Sequence, residues 1–376
     1  MHINPDDLEY HLSDVTAPTL RELPRPLLAV LAAVLMFGAL EVLLQWRSYL
    51  RTGQSIFSKV QGGSTYVRDP ELGFNLLRPS HSSGGKQQRI ISNSWGFRSP
   101  EIPEAKPPGT LRIVVLGAST VMGAYAPTND DTFPARLQSL LRERIFDRPI
   151  DVINAGVVGL SIQEQRRFFE HRVVRFEPDI TIVYTGFNDF AGYCRRVSRE
   201  QHQATRPLVV IGMPAWLLSI ELLLKNTVQM RTLPEGLSPI VRVESLDIEP
   251  YRQSVQVLLQ TLKASGTSPL IARNARSYRR DQSLEEQRRL SGTARFYNPC
   301  FDLDGLHQLY ERHNDVISEV GGALGVPVLP LDEVLPGGEK YFADASHFSA
   351  MGEQVVATWL ADRLEPLLRA IPGGAR

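Results

Sequence analysis

The stretch Leu111-Arg-Ile-Val-Val-Leu-Gly117-Ala-Ser119-Thr-Val-Met-Gly123 joins a short apolar run to a glycine-marked turn. The run Arg112–Leu116 is apolar after its first residue, which predicts a buried strand in a sheet that is covered on both faces. The tight turn after it presents the hydroxyl of Ser119 just before the chain turns toward a helix. The segment therefore predicts a strand of a parallel α/β sheet with a serine at its carboxyl end.

Downstream of this segment, short apolar strands alternate with amphipathic helices. The alternation is typical of a parallel sheet of about five strands with helices on both faces, and such sheets place their sites at the carboxyl ends of the strands. The predicted strands are Arg112–Leu116, Asp151–Ala155, Ile180–Thr185, Pro269–Arg273 and Val326–Leu331. The predicted helices are Thr132–Arg144, Gln163–Phe176, Tyr251–Ser265, Leu306–Leu324 and Ser349–Leu368.

Polar or glycine-marked loops follow the first three strands, and a fourth such loop precedes the last helix. They read Gly117-Ala-Ser119, Asn154-Ala-Gly156, Gly186-Phe-Asn188-Asp189 and Asp344-Ala-Ser-His347. Because the carboxyl ends of parallel strands meet at one edge of a sheet, we expect these four loops to converge there. Asp189 is interpreted as a structural residue that holds its own loop through local side-chain to backbone hydrogen bonds.

Ser119, His347 and Asp344 are the residue types that acyl transfer needs. A serine hydroxyl becomes an effective nucleophile when an adjacent imidazole takes its proton, and a carboxylate fixes the tautomer of that imidazole. The tetrahedral intermediate also needs hydrogen-bond donors aimed at its oxyanion. The backbone N–H groups of Ser119 and Gly156 and the side-chain amide of Asn188 are the candidate donors.

Taken together, the four loops resemble the SGNH, or GDSL-like, hydrolase superfamily, whose sequence blocks carry Ser, Gly, Asn and His in this order. The resemblance covers roughly residues 111–368. It implies a flavodoxin-like three-layer α/β/α sandwich and the hydrolysis or transfer of ester-linked acyl groups without a metal or other cofactor. Ala118 stands where the family usually has an acidic residue. Since the family's triad acid comes from the C-terminal block, this departure is compatible with catalysis.

The N-terminal part of the sequence predicts a membrane anchor. From Leu27 to Leu44 every residue except Glu41 is apolar or glycine, and 18 residues at about 1.5 Å rise nearly cross a hydrocarbon layer of about 30 Å. A cleaved signal peptide and a buried amphipathic helix are the alternatives. Glu41 is the main objection to a span, because an ionised carboxylate there must reach the headgroups or find a partner.

Arg21 and Arg25 precede the span and Arg47, Arg51 and Lys59 follow it, so the charge count does not decide the orientation and slightly opposes an exported domain. The lead-in sequence, with Asp69-Pro-Glu-Leu-Gly73 and Asn93-Ser-Trp-Gly96-Phe-Arg98, resembles membrane-anchored bacterial members that are associated with envelope polysaccharides. That resemblance implies a single-pass protein of the inner membrane with an exported catalytic domain. The predicted domain organisation is a tail (1–25), an anchor (26–46), a linker and lead-in (47–110) and a catalytic domain (111–370) with a substrate-side insertion around 195–300.

Composition excludes several other classes of protein. The 376 residues carry 41 Lys+Arg and 41 Asp+Glu, so no overall field favours nucleic acid. No Gly-x4-Gly-Lys-Ser/Thr or Gly-x-Gly-x-x-Gly motif occurs, which weighs against reading Gly117–Gly123 as a nucleotide-binding loop. His171, His307 and His313 lie in predicted helices and are interpreted as surface or core residues rather than metal ligands.

Three features beyond the four loops leave alternatives open. The arginines around the fourth strand are either an anion-binding surface or a solvated, ion-paired face. The apolar segment Pro207–Leu224 fits a lid, a membrane contact or a buried helix. Cys194 and Cys300 fall in excursions near one sheet edge and form either one disulfide or two thiols.

The sequence thus predicts a serine esterase or O-acyltransferase acting on acylated carbohydrate or lipid. The alternative is a non-catalytic envelope factor that binds or assembles polysaccharide with the same fold.

Overall fold

The computed structural model describes residues 24–52, 65–84, 88–202, 217–223 and 241–371. The predicted N-terminal tail and most of the segment 207–224 lie outside these ranges. The described chain begins with helix α1, Arg25–Thr52. Its portion Arg25–Leu50 is long and apolar enough to cross a membrane, a test that a signal sequence also passes.

The lead-in forms two short antiparallel hairpins and packs onto the α/β layers. Their strands are β1 Tyr66–Arg68, β2 Asn75–Leu77, β3 Ser82–Gly84 and β4 Arg89–Ile91. Leu72, Phe74, Phe97 and Ile102 are buried in the same hydrophobic cluster as the sheet residue Val114. The described lead-in residues 65–84 and 88–110 therefore pack against the sheet through these side chains.

The central sheet has five parallel strands in the order β6-β5-β7-β8-β9. They are β5 Leu111–Gly117, β6 Ile150–Gly156, β7 Ile180–Tyr184, β8 Ser268–Ala272 and β9 Val328–Leu329. This order is the flavodoxin-like one, so the predicted fold class is confirmed. The last strand is shorter than predicted because Pro327 and Pro330 flank it, and proline cannot donate a ladder hydrogen bond.

Helices cover both faces of the sheet. In chain order they are α2 Ser119–Met122, α3 Phe133–Arg144, α4 Ile162–Phe168, α5 Phe187–His202, α6 Leu218–Leu223, α7 Glu249–Ala264, α8 Leu284–Leu290, α9 Gly292–Tyr297, α10 Leu303–Ala323, α11 Leu331–Val334 and α12 Ala350–Ala370. Along β5, Ile113 and Val115 face α3 and α12, whereas Val114 and Leu116 face α4, α7 and α10. This alternation is the pleat of a strand buried on both sides.

The predicted helix Gln163–Phe176 is not continuous. Helix α4 ends at Phe168, a π-helical turn spans Phe169–Val173, and a 3-10 turn spans Val174–Phe176. In this arrangement the rings of Phe168, Phe169 and Phe176 are all buried against the sheet.

A third buried cluster lies between α5 and α10 and contains the two cysteines. Cys194 and Cys300 form a disulfide with Cα atoms 5.5 Å apart, so the alternative of two thiols is wrong. Phe190 and Tyr310 pack beside it with ring centroids 4.8 Å apart.

Candidate active site

Ser119 is the first residue of α2, directly after the end of β5. Gly117 makes this turn possible, because a Cβ there would lie 2.3 Å from Cγ2 of Val121 and 2.5 Å from the carbonyl oxygen of Tyr184. The half-buried Ser119 side chain points its Oγ at Nε2 of His347, 2.7 Å away. The sequence-predicted nucleophile and base are therefore within hydrogen-bond distance.

His347 and Asp344 lie on one tight loop before α12. Phe342 and Phe348 pair across this loop, and the Ala343 N–H donates to the carbonyl of His347 at 2.9 Å. The fold of the loop brings Oδ2 of Asp344 to 2.8 Å from Nδ1 of His347. The structure thus joins the three predicted residues in one continuous Ser–His–Asp chain.

The surroundings of Asp344 favour its carboxylate form. Burial opposes ionisation most strongly, but the hydrogen bond and charge of His347 outweigh it together with two backbone N–H groups, so the pKa lies below its usual value. Those N–H groups belong to Ser346 and His347 and donate to Oδ1 at 2.9 Å. A charged carboxylate at this point holds the imidazole in the Nδ1–H tautomer.

Asn188 lies in the first turn of α5 rather than in a loop. Its Nδ2 donates to the carbonyl of Leu160 at 3.1 Å. Asn188 and Ser119 line the same small cavity, of about 20 Å³, with Gly186 and Phe187. The structure therefore places the predicted oxyanion donor Asn188 and Ser119 on the wall of one cavity.

The backbone N–H of Gly156, predicted as an oxyanion donor, already has a hydrogen-bond acceptor. Its N–H donates to Oδ1 of Asn154 at 3.0 Å, and a Cβ on it would lie 2.1 Å from the backbone nitrogen of Met122. The missing side chain lets α2 pack closely on β6. In the following loop, Gly159 is exposed with a φ of 80° and precedes Leu160, the residue that contacts Asn188.

Asp189 makes a contact that is distant in sequence. Both of its carboxylate oxygens lie 3.3 Å from the N–H of Ile162, at the start of α4. Ser161 and Glu164 cap the same helix through a capping box. Asp189 therefore connects the first turn of α5 to the first turn of α4.

Two further residues, Tyr125 and Thr120, contact the loops of the triad. The ring of Tyr125 packs on the imidazole of His347 with centroids 5.4 Å apart. Thr120 Oγ1 donates to the carbonyl of Ser346 at 3.4 Å and joins the serine turn to the histidine loop. Neither residue belongs to a recognisable motif, and only the folded chain brings them to the site.

The arginines after β8 are paired with acidic residues. Arg273, Arg276, Arg279 and Arg280 line a cleft of about 420 Å³ together with Asp281, Glu311, Asp315, Asp332 and Glu333. Arg273 pairs with Asp332 at 2.8 Å, and Arg280 pairs with Glu311 at 2.9 Å. These contacts favour the interpretation of an ion-paired polar face.

The histidines of the predicted helices, His171, His307 and His313, have neighbours other than the triad. His171 lies 2.7 Å from Glu71 on the surface. His307 hydrogen-bonds Gln287, and its burial together with neighbouring arginines lowers its pKa to about 4. His313 is fully buried and stacks on Tyr251. Within the described ranges, no three His, Cys, Asp or Glu residues are grouped so that they could hold a metal ion.

The chain resembles solved structures over about two thirds of its length. A putative lipolytic protein of the G-D-S-L family from Desulfitobacterium hafniense is 13% identical, with 67% of this chain and 98% of that chain covered and a TM-score of 0.40. A lipase/acylhydrolase from Enterococcus faecalis is 16% identical, with 68% and 96% covered and a TM-score of 0.40. The acetylxylan esterase Axe2 from Geobacillus stearothermophilus is 13% identical, with 71% and 97% covered and a TM-score of 0.42.

No curated protein matches the chain significantly. A sequence model of the GDSL-like lipase/acylhydrolase family matches residues 115–355, a range that contains Ser119, Asn188, Asp344 and His347. With more than half of the chain matched and the parallel sheet in the expected order, this protein belongs to the GDSL-like lipase/acylhydrolase family.

Proposed function

We propose that the chain is a membrane-anchored serine esterase or O-acyltransferase that acts through an acyl-serine on acylated carbohydrate or lipid of the cell envelope. The observation that carries the proposal is the Ser119–His347–Asp344 chain, with hydrogen bonds of 2.7 and 2.8 Å. A neutral imidazole in this position accepts the hydroxyl proton, and the carboxylate stabilises the imidazolium that forms.

The reaction has two halves. In the first half, Oγ of Ser119 bonds to the ester carbonyl carbon as its proton moves to Nε2 of His347. The tetrahedral intermediate then collapses, the bond to the alcohol breaks, and the proton passes from His347 to the leaving oxygen. In the second half, water or an acceptor hydroxyl gives its proton to His347 and attacks the acyl-serine. The acid or the new ester leaves, and the proton returns to Ser119.

Oxyanion stabilisation comes from donors near Ser119. The first N–H of α2 belongs to Ser119 itself, and the amide of Asn188 lines the same cavity. In the loop after β6, Gly159 is a better candidate than Gly156, because the N–H of Gly156 is already hydrogen-bonded to Asn154. A lost donor of this kind typically costs a factor of about 10²–10³ in turnover.

The size of the cavity beside Ser119 supports a short acyl group. A space of about 20 Å³ has room for about one water-sized group. An acetyl methyl fits within such a space, whereas an octanoyl chain extends beyond it. We therefore expect p-nitrophenyl acetate to be turned over faster than p-nitrophenyl octanoate, and a preference for octanoate would contradict the short acyl group.

Placement at the membrane is supported by two contacts outside the triad. The carboxylate of Glu41 accepts the backbone N–H groups of Leu218 and Ser219 at 2.9 Å, so the charge that opposes a span has partners. The Cys194–Cys300 disulfide is typical of oxidising compartments. A C-terminal alkaline phosphatase fusion tests the orientation: an exported domain gives activity, and activity of a cytoplasmic reporter alone would refute it.

A fluorophosphonate probe tests the nucleophile directly. The wild-type protein should be labelled at Ser119, and the Ser119→Ala variant should be neither labelled nor active on p-nitrophenyl acetate. An unlabelled but correctly folded wild type would favour the non-catalytic envelope factor. Mass spectrometry of the products with and without a sugar acceptor then separates hydrolysis from transfer, because both routes share the acyl-serine.

A further inference from the structure

Arg98 is a fully buried arginine whose guanidinium group is surrounded by carbonyl oxygens. It is only 1% exposed. Its nitrogens donate to the carbonyls of five residues and to one side-chain oxygen at 2.6–3.1 Å; the acceptors are Met122, Gly123, Arg89, Ala126, Thr128 and Oδ1 of Asn129. All five N–H groups of the guanidinium are therefore used.

Three of the six acceptors of Arg98 belong to the segments that carry the nucleophile and a neighbour of the base. Met122 and Gly123 end α2, the four-residue helix that begins at Ser119. Gly123 and Ala126 lie on either side of Tyr125, whose ring packs on His347. A cation at a helix C-terminus is favourable because the free carbonyls there carry partial negative charge. One guanidinium thus holds the Ser119 helix and the Tyr125 loop together.

Arg98 is itself held rigidly by the lead-in. The side chain of Asn93 accepts the N–H groups of Trp95 and Phe97 at 3.0 and 2.9 Å, and donates to the carbonyl of Pro100 at 2.9 Å. The next residue, Ser99, accepts the N–H of Asn154 through its Oγ at 2.8 Å. The turn therefore connects to two of the four site loops.

The charge of Arg98 is not neutralised by a contacting carboxylate within the described part of the chain. Burial lowers its pKa to about 10, and longer-range interactions with Glu353, Tyr66 and Asp131 oppose this decrease. The side chain therefore remains a cation at neutral pH. Removing the guanidinium leaves buried carbonyl groups without donors and so destabilises the fold, unless another cation donates to them in the same geometry.

We propose that Arg98 is a positioning residue that fixes the hydrogen bond between Ser119 and His347 by holding the end of α2 and the Tyr125 loop in one carbonyl cage. This inference rests on the proposed esterase activity, because its kinetic tests measure that activity. Lysine keeps the charge but cannot reach five carbonyls in a fixed plane. Small displacements of a nucleophile cost about 10²-fold in rate.

Arg112 provides a matched control. It is also fully buried, lies near the opposite end of β5, and donates to the carbonyls of Glu104 and Phe176. Arg98→Lys and Arg112→Lys are compared for thermal stability, for kcat and KM on p-nitrophenyl acetate, and for the rate of fluorophosphonate labelling. Both variants should be destabilised. Only Arg98→Lys should lose kcat and labelling rate, by about 10–10²-fold, with KM changed less than threefold.

A second readout needs no substrate. The proton on Nδ1 of His347 that bonds Asp344 gives a low-field ¹H resonance, which Arg98→Lys should shift or broaden and Arg112→Lys should leave in place. If Arg98→Lys does not fold, Asn129→Ala removes one acceptor of the cage and should lower kcat about threefold. Added methylguanidinium should restore part of the activity of Arg98→Ala.

The outcomes separate the two proposals. If Arg98→Lys loses stability but keeps kcat, labelling and the His347 resonance within the range of Arg112→Lys, Arg98 is structural only and the inference is wrong. If the wild type is not labelled, the proposed function fails, and the His347 resonance alone then decides the role of Arg98.

Discussion

Asp344 contacts His347 twice: Oδ2 lies 2.8 Å from the imidazole Nδ1, and Oδ1 accepts the backbone N–H of the same histidine at 2.9 Å. The carboxylate therefore sets both the tautomer of the ring and the conformation of the loop that carries it. Both the proton transfer at His347 and the conformation of its loop therefore depend on the side chain of Asp344.

Replacing that carboxylate by an amide should impair catalysis strongly. We expect Asp344→Asn to lower kcat by about 10³–10⁴, because the amide does not enforce the Nδ1–H tautomer. Asp302→Asn is the matched control: Asp302 caps α10 through the N–H of Gly305, and because asparagine caps helices as well as aspartate, both stability and kcat should stay nearly unchanged. Steady-state kinetics on p-nitrophenyl acetate provide the measurement. Equal kcat values for the two variants would remove Asp344 from the triad.

Asn188→Ala should lower kcat by about 10²–10³ with a smaller change in KM, as expected for a donor that acts on the oxyanion. Asn298→Ala is the control, since Asn298 is buried and its amide also donates to a backbone carbonyl, that of Ala294. It should lower the melting temperature and leave kcat nearly unchanged. A twofold or smaller loss of kcat in Asn188→Ala would exclude Asn188 from the oxyanion site.

Glu353 should make stability fall as pH rises. It is completely buried and accepts the N–H of Phe133 at 2.7 Å; burial raises its pKa from 4.5 to about 8, although Arg98 and Arg136 oppose the rise. The folded state therefore binds one more proton than the unfolded state between about pH 4.5 and 8. The stabilisation is full below pH 4.5, decreases with rising pH, and is lost above about 8.

Glu353→Gln isolates this contribution, because glutamine keeps the shape and does not ionise. We expect the free energy of unfolding of the wild type to fall by a few kcal/mol more than that of the variant between pH 5 and 9, on the order of 1.4 kcal/mol for each unit of pKa shift. Urea titrations at both pH values measure the difference. Parallel pH profiles for the two proteins would show that Glu353 ionises normally.

Removing the disulfide should lower stability without removing the nucleophile. Cys194 and Cys300 are separated by 106 positions, and closing such a loop stabilises a fold by up to about 4–5 kcal/mol in the chain-entropy model. A Cys194→Ser, Cys300→Ser double variant should unfold at lower urea concentration and still be labelled by fluorophosphonate at low temperature. Mass spectrometry of non-reduced, alkylated wild type checks the bridge itself, and two alkylated cysteines would contradict it.

The sequence predicted the sheet and the family well because each signal was local. Five apolar runs marked the strands, and the serine, histidine and aspartate lay in loops whose position follows from strand direction. Helix α5 was missed because Gly186-Phe-Asn188-Asp189 has the composition of a turn, whereas the structure places Asn188 in the first helical turn.

The roles of Gly156 and Arg98 could not be predicted from the residues next to them in the sequence. Gly156 ends the strand β6 and Gly159 lies in the loop after it, and only the folded chain shows that Asn154 accepts the N–H of Gly156. Arg98 looked like part of a lead-in, since an arginine is rarely fully buried. Its six acceptors come from segments distant in sequence, so no spacing rule could reveal the cage.

The disulfide also divides the chain topologically. It closes a covalent ring from Cys194 to Cys300, and of the five sheet strands only β8 lies within that ring. Ser119, Asn188, Asp344 and His347 all lie outside it. The reactive groups therefore lie outside the segment that the disulfide closes, and the excursion beside them lies within it. A substitution within the ring therefore reaches the bond-making groups only through packing, as at Asn274, which lines the cavity beside Ser119.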